Sequence, residues 1–148
     1  GAITLGTLDG ANVEIHQAVG GGNMAIFGMN ADKVMRFYQQ GGYHSWEEYH
    51  SFPRLKKVVD QLIDGFFGGN KGEFKIIYDS LLQHNDEFFV LKDFSSYMDA
   101  WHRLNMIYGH QVKWQKMSLV NIAKGGVFAS DRTIREYAEE IWRVPYQN

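Results

Sequence analysis

The stretch Gly6-Thr7-Leu8-Asp9-Gly10-Ala11-Asn12-Val13-Glu14 holds the residues of this chain best placed to do chemistry. Thr7, Asp9 and Asn12 offer polar groups, and Gly6 and Gly10 lie before and between them. The segment runs from an apolar run into a candidate helix. In open α/β sheets, ligands gather outside the carboxyl ends of strands, where helix N-termini present free N–H groups. A loop of this kind could contact an anion or a sugar. The same residues also describe a tight strand-to-helix connection, in which Gly6 and Gly10 give backbone freedom and Asp9 caps the helix. The spacing is neither G-x-G-x-x-G nor a P-loop, and no lysine completes it. On pattern alone the connection is the favoured reading. Thr7, Asp9, Gly10 and Asn12 remain candidates for a loop that backs a ligand crevice.

Other constellations carry less. In His44-Ser45-Trp46-Glu47-Glu48-Tyr49-His50, His44 and Glu48 are four apart, as a helical metal pair would be. A stable site needs three or four ligands with supporting partners, and no H-E-x-x-H occurs, so a solvated helix face is expected and no metal site. His16, His84, His102 and His110 are scattered, with no Ser or Asp at a recognisable spacing. Triads are recognised by geometry, and nothing in the spacing supports one. Cysteine is absent, which excludes disulfides and thiolate metal sites. Trp46, Trp101, Trp114 and Trp142 lie mostly on or beside apolar helix stripes, so core packing is expected of them. A stacking platform would need polar or basic neighbours on an open face.

The elements that must position these groups are legible as periodicities. Apolar runs at 2–5, 24–27 and 88–91 read as buried strands. A helix is expected at 11–19, with Gly10 before it and Gly20-Gly21-Gly22 after. Strand, helix and strand over this span fit a βαβ unit with a right-handed crossover. The rest reads as mainly helical. Val34, Phe37 and Tyr38 mark one helix, ended by Gly41-Gly42. Leu55, Val58, Val59 and Leu62 share one helical face, with Ser51 and Pro53 at its start and Gly65 past its end. Phe74, Ile77, Tyr78 and Leu81 repeat that spacing, as do Tyr97, Ala100, Trp101 and Leu104, with Asp93 or Ser96 as cap and Gly109 as stop. Trp114, Met117 and Val120 precede Gly125-Gly126, and Ile134, Tyr137, Ala138 and Ile141 follow a cap expected at Ser130. Arg132–Glu136, Arg135–Glu139 and Glu139–Arg143 are spaced for helical ion pairs worth at most about 0.5 kcal/mol each. Residues 66–72, with three glycines, are the candidate mobile loop, and Pro53 and Pro145 are the prolines.

A chain of 148 residues suits one domain or a piece of a larger one. With 45% apolar and 22% charged residues it is globular in composition, and disorder is not expected. A formal charge of −2 carries no footprint for nucleic acid or an anionic membrane. No apolar run approaches the roughly 18 residues of a membrane span. The first residues, Gly1-Ala2-Ile3-Thr4-Leu5, include neither an initiator Met nor a basic signal region. Two or three short strands make a poor parallel sheet, which needs both faces covered and neighbours at its edges. The expectation is a segment of something longer: residues 1–29 a βαβ remnant and residues 30–148 its helical continuation. The alternative is an independent helical interaction module without catalytic activity.

The residues themselves go further. Gly1-Ala2-Ile3-Thr4-Leu5-Gly6-Thr7-Leu8-Asp9-Gly10-Ala11-Asn12-Val13-Glu14-Ile15 closely resembles a signature of the glycogen, starch and maltodextrin phosphorylases. Ile26-Phe27-Gly28-Met29, Val59-Asp60-Gln61-Leu62, Gly65-Phe66-Phe67 and Asp93-Phe94 with Tyr97 resemble later blocks in order. Trp114, Met117, Asn121-Ile122-Ala123 and the run Phe128-Ala129-Ser130-Asp131-Arg132-Thr133-Ile134-Arg135-Glu136-Tyr137-Ala138 with Ile141-Trp142 resemble the C-terminal signature. Gly21-Gly22 stand where acidic residues are common, and Ala129 where Ser is usual. The resemblance implies the end of the C-terminal lobe of a two-lobed, Rossmann-like α/β enzyme. That enzyme would be cytoplasmic and homodimeric, cleaving α-1,4-glucan with phosphate to α-glucose 1-phosphate. It also implies pyridoxal 5′-phosphate held by a lysine in a Gly-Asn-Met-Lys motif upstream of Gly1. Lys33, Lys56 and Lys92 lie outside that motif. On this reading the segment holds neither catalytic nor cofactor residues, binds no cofactor and is inactive alone, and its partner is the remainder of the phosphorylase chain.

Overall fold

The chain opens with two short strands, β1 (Leu5–Thr7) and β2 (Ala25–Phe27), joined by α1 (Ala11–Val19). The strands run parallel, with Leu5 opposite Ala25, Gly6 opposite Ile26 and Thr7 opposite Phe27. The computed structural model describes residues 1–68, 70 and 72–144. α1 begins and ends where the sequence places it, because Gly10 (φ 47°) and Gly20 (φ 77°) adopt backbone angles that stop a helix and that other residues disfavour. The first strand lies later than the expected 2–5. Pairing is set by the partner, and the three residues of β2 reach only Leu5–Thr7, although the Thr4 carbonyl still accepts from the Ala25 N–H at 2.9 Å.

Helices follow: α2 (Ala31–Gln40), α3 (Ser45–Ser51), α4 (Pro53–Asp60), α5 (Lys75–Leu82), α6 (Val90–Tyr108), α7 (Gln111–Lys124) and α8 (Ser130–Glu136). A 3₁₀ turn at Gly125–Phe128 and a π-helical turn at Tyr137–Trp142 flank the last of these. α6, about 28 Å long at 1.5 Å per residue, is the spine, packing on β2, α3 and α7. Tyr49, Leu55, Val59, Leu82 and Leu91 form a buried cluster between α3, α4, α5 and the start of α6. Phe37, Tyr43 and Phe89 form an aromatic knot beside it, with ring centroids 4.9–6.0 Å apart.

Several expectations are corrected. Residues 88–91 form no strand. Phe89 is left-handed (φ 57°) and Val90 begins α6. A short apolar run cannot distinguish a strand from a buried helix start, and here the Asp86 side chain decides it by accepting the Leu91 N–H at 2.7 Å. Asp93 and Ser96 therefore lie inside α6 and do not cap it. Phe52, not Ser51, precedes α4, and the Ser51 hydroxyl donates to the Glu48 carbonyl at 3.0 Å. Ala129 precedes α8, which takes Ser130 as its first residue.

The apolar stripes are only partly covered. Val58, Ile77, Ile134, Tyr137 and Ile141 are 45–63% exposed, and so are Trp46, Trp101 and Trp142 at 45–57%. A stripe is buried only where a second layer meets it, and the described residues supply none there. Within residues 66–72, Gly69 and Lys71 lie outside the described residues, as does Pro145.

Candidate functional site

The 7–12 loop leaves the carboxyl end of β1 and enters α1. Thr7 ends the strand, and its hydroxyl donates to Asp9 Oδ1 at 3.1 Å. The Asn12 side chain, in the first turn of α1, reaches back to donate to the Thr7 carbonyl at 2.9 Å. Close approach explains Gly6: a Cβ there would stand 2.7 Å from Asn12 Nδ2. The structure thus brings Thr7, Asp9 and Asn12 together, with Gly10 as the hinge. One detail differs from the sequence reading. Gly10 intervenes before the helix, so it is the Asp9 main-chain carbonyl that accepts the Asn12 N–H, at 3.0 Å, while the carboxylate turns to Thr7.

Beside the loop lies a cleft of about 720 Å³ at the carboxyl ends of both strands. Thr7, Leu8 and Asp9 form one wall, Phe27 and Met29 the floor, and Tyr38, Phe89 and Tyr97 part of the rest. The lining is mostly apolar and includes no lysine or arginine.

Sequence reasoning missed the bonds at the β2 side of this cleft, whose lining includes Asp93 itself. Gly28 N–H donates to Ser96 Oγ at 2.8 Å, and Met29 N–H to Asp93 Oδ1 at 2.9 Å. These α6 side chains, first read as helix caps, instead hold the exit of β2. Burial raises the Asp93 carboxyl above its ordinary pKa, with Asp86 acting in the same direction; the Met29 N–H and Lys33 oppose it. The cue available in sequence was Gly28, next to a strand end, which fits close backbone approach.

Two polar clusters lie elsewhere. Buried Asp86 accepts the Tyr43 hydroxyl at 2.7 Å, and Asn85 bridges the Ser45 N–H and the Tyr43 carbonyl. Burial first, then the bond to Asp86, raises the Tyr43 hydroxyl far above its usual range. Lys56 Nζ meets Tyr49 Oη at 2.9 Å and Asp60 Oδ2 at 2.6 Å, and Tyr49 donates to Asp60 Oδ1. The metal pair considered at His44 and Glu48 is not a helical pair: His44 precedes α3, and Glu48 takes Lys92 across to α6. Among the described residues no group of three or more His, Asp or Glu is placed to hold a metal ion, and no helix is long and apolar enough to cross a membrane.

A parallel strand–helix–strand unit, with a glycine-bracketed loop and a cleft at its strand ends, defines an α/β segment of the ligand-crevice type. Residues 1–144 match the carbohydrate phosphorylase family, and the chain belongs to it. It is 54% identical over 144 residues to a glycogen phosphorylase of Bacillus subtilis, covering 97% of this chain and 18% of the relative. It is 43% identical over 145 residues to a glycogen phosphorylase of Synechocystis and 43% identical to the human liver form, in each case covering 97% of this chain and 17% of the relative. The chain thus spans less than a fifth of the length of these curated relatives.

Proposed function

We propose that this chain is the closing segment of the C-terminal, Rossmann-like lobe of an α-1,4-glucan phosphorylase. Residues 1–29 are the last βαβ unit of that lobe and residues 30–148 its helical continuation. The observation that carries this is the 54% identity to a glycogen phosphorylase along 97% of the chain. The parent protein cleaves glycogen, starch or maltodextrin with inorganic phosphate, releasing α-glucose 1-phosphate. It is a cytoplasmic homodimer. Within it the 7–12 loop backs the substrate crevice, holding its backbone in place through Thr7, Asp9 and Asn12.

The family implies pyridoxal 5′-phosphate, whose phosphate group supplies acid–base chemistry when bound. The cleft beside the 7–12 loop does not fit it. The cleft lining has no lysine for the aldehyde and no cation for the phosphate. Lys56, Lys75 and Lys92 are engaged by Asp60, Asp79 and Glu48. The cofactor belongs to the remainder of the phosphorylase chain, and this segment turns over no glucan alone.

The test is phosphorolysis by the chain with pyridoxal phosphate, glucan and phosphate added. No glucose 1-phosphate should form; robust turnover refutes the proposal. The contrasting reading is an independent interaction module without catalytic activity, which would use exposed large apolar side chains such as Ile76, Phe88 and Ile141 as its docking face.

A further inference from the structure

We infer that Asp93 and Ser96 on α6 are positioning residues for the 7–12 loop, acting through the β2 exit at Gly28 and Met29. The inference rests on the reading that this loop backs the substrate crevice.

Two consecutive main-chain amides at the end of β2 point at one helix. Gly28 N–H donates to Ser96 Oγ and Met29 N–H to Asp93 Oδ1, at 2.8 and 2.9 Å, across 68 and 64 residues of sequence. The Ser96 hydroxyl spends its own proton on the Asp93 carbonyl at 2.9 Å, so its oxygen lone pairs are left to face Gly28. Neither side chain caps its own helix. Both are polar groups in a helix interior, directed at another element.

The link continues from Gly28 to the loop. Gly28 has φ 82°, and a Cβ placed on it would stand 2.5 Å from Asp93 Oδ2 and 3.1 Å from Thr7 Cγ2. The Asp93 carboxylate and the Thr7 methyl thus both crowd the side of Gly28 where a Cβ would stand. Thr7 is opposite Phe27 in the ladder. Its hydroxyl and carbonyl bond Asp9 and Asn12. Carboxylate, Gly28, Thr7 and the loop therefore form one contiguous stack. The Phe27 ring packs edge-on to Tyr97, one position beyond Ser96, with centroids 5.2 Å apart. Moving α6 or emptying the Asp93 position lets Gly28 shift, and Thr7 follows.

Hydrogen–deuterium exchange by mass spectrometry, on the longest polypeptide that carries this segment, tests the stack directly. Asp93→Ala and Gly28→Ala should each speed exchange of a peptide spanning residues 7–15 on the order of tenfold, the loss of about one net hydrogen bond. Asp93→Asn keeps an acceptor oxygen and should restore slow exchange. Ser96→Ala removes the Gly28 acceptor and leaves the carboxylate, so it decides the matter if Asp93→Ala fails to fold. In the full-length enzyme, Asp93→Ala should lower kcat about tenfold with KM for glucan near unchanged, and Asp93→Asn should recover most of it. If exchange rises only at residues 24–30, and residues 7–15 stay protected in every folded variant, the inference falls. If the loop loosens and kcat does not move, the stack stands and the crevice reading of the loop fails.

Discussion

Asp86→Ala should be among the most damaging single changes in this chain. Asp86 is 2% exposed. Its Oδ2 accepts from both the Tyr43 hydroxyl and the Leu91 N–H at 2.7 Å. Alanine removes the side-chain cap of α6, which costs about 1 kcal/mol. It strands the buried Tyr43 hydroxyl, which costs about 1–3 kcal/mol. It also places alanine at φ 45°, a left-handed angle that costs roughly 1 kcal/mol more than with Asp. The sum is about 3–5 kcal/mol, a large part of the 5–15 kcal/mol that holds a domain together. Urea unfolding followed by circular dichroism measures it, read as a fall in midpoint at constant slope. Asp86→Asn keeps the left-handed preference and one acceptor and should cost about 1 kcal/mol. In a cycle with Tyr43→Phe, the double variant should be less damaged than the sum of the singles by at least about 1 kcal/mol, because the hydroxyl is already gone. Additivity within about 0.5 kcal/mol, or a cost below about 1 kcal/mol for Asp86→Ala, refutes this account of how α6 begins.

Further outcomes can be measured. Tyr43 stays protonated in the folded state well above its ordinary range, so the unfolded chain releases that proton first. Stability should therefore fall as pH rises past about 10, and Tyr43→Phe should flatten that fall in alkaline titrations of unfolding. Burial tends to raise the Asp60 carboxyl, but hydrogen bonds from Lys56 and Tyr49 outweigh it and hold it below its ordinary value. Its contribution is present above about pH 4 and lost as pH falls through the depressed folded value, so Asp60→Asn should reduce the acid dependence of the midpoint. In the full-length enzyme, Asp9→Ala or Asn12→Ala should lower turnover more than stability; a loss of stability alone would leave the loop a turn and no more. The isolated chain should self-associate in light scattering, because Ile134, Ile141 and Trp142 are 51–63% exposed on its last turns. A monodisperse, heat-stable monomer would contradict this.

Much of the chain was legible before its coordinates. α1 and α2 end at Gly20 and Gly41 as expected, because a positive φ is a local property that glycine announces. The βαβ order followed from two apolar runs around one helix bracketed by glycines. The 88–91 run misled because apolar residues bury equally well in a strand or a helix start. What selected the helix was Asp86, five residues from the amide it caps. Stripes such as Ile134, Tyr137 and Ile141 marked candidate faces in the sequence, but whether a face is covered depends on another layer, and these three are exposed.

The same division runs through the site. Residue types and glycines located the 7–12 loop, and the ordered family blocks placed the chain among the carbohydrate phosphorylases. Both are local or linear features, written in neighbouring letters. That Asp93 and Ser96 serve a strand end and not their own helix emerged only when 64 to 68 residues of chain folded back upon themselves. A hydrogen bond requires a donor and an acceptor within about 3 Å, and no one-dimensional spacing encodes that distance between segments so far apart.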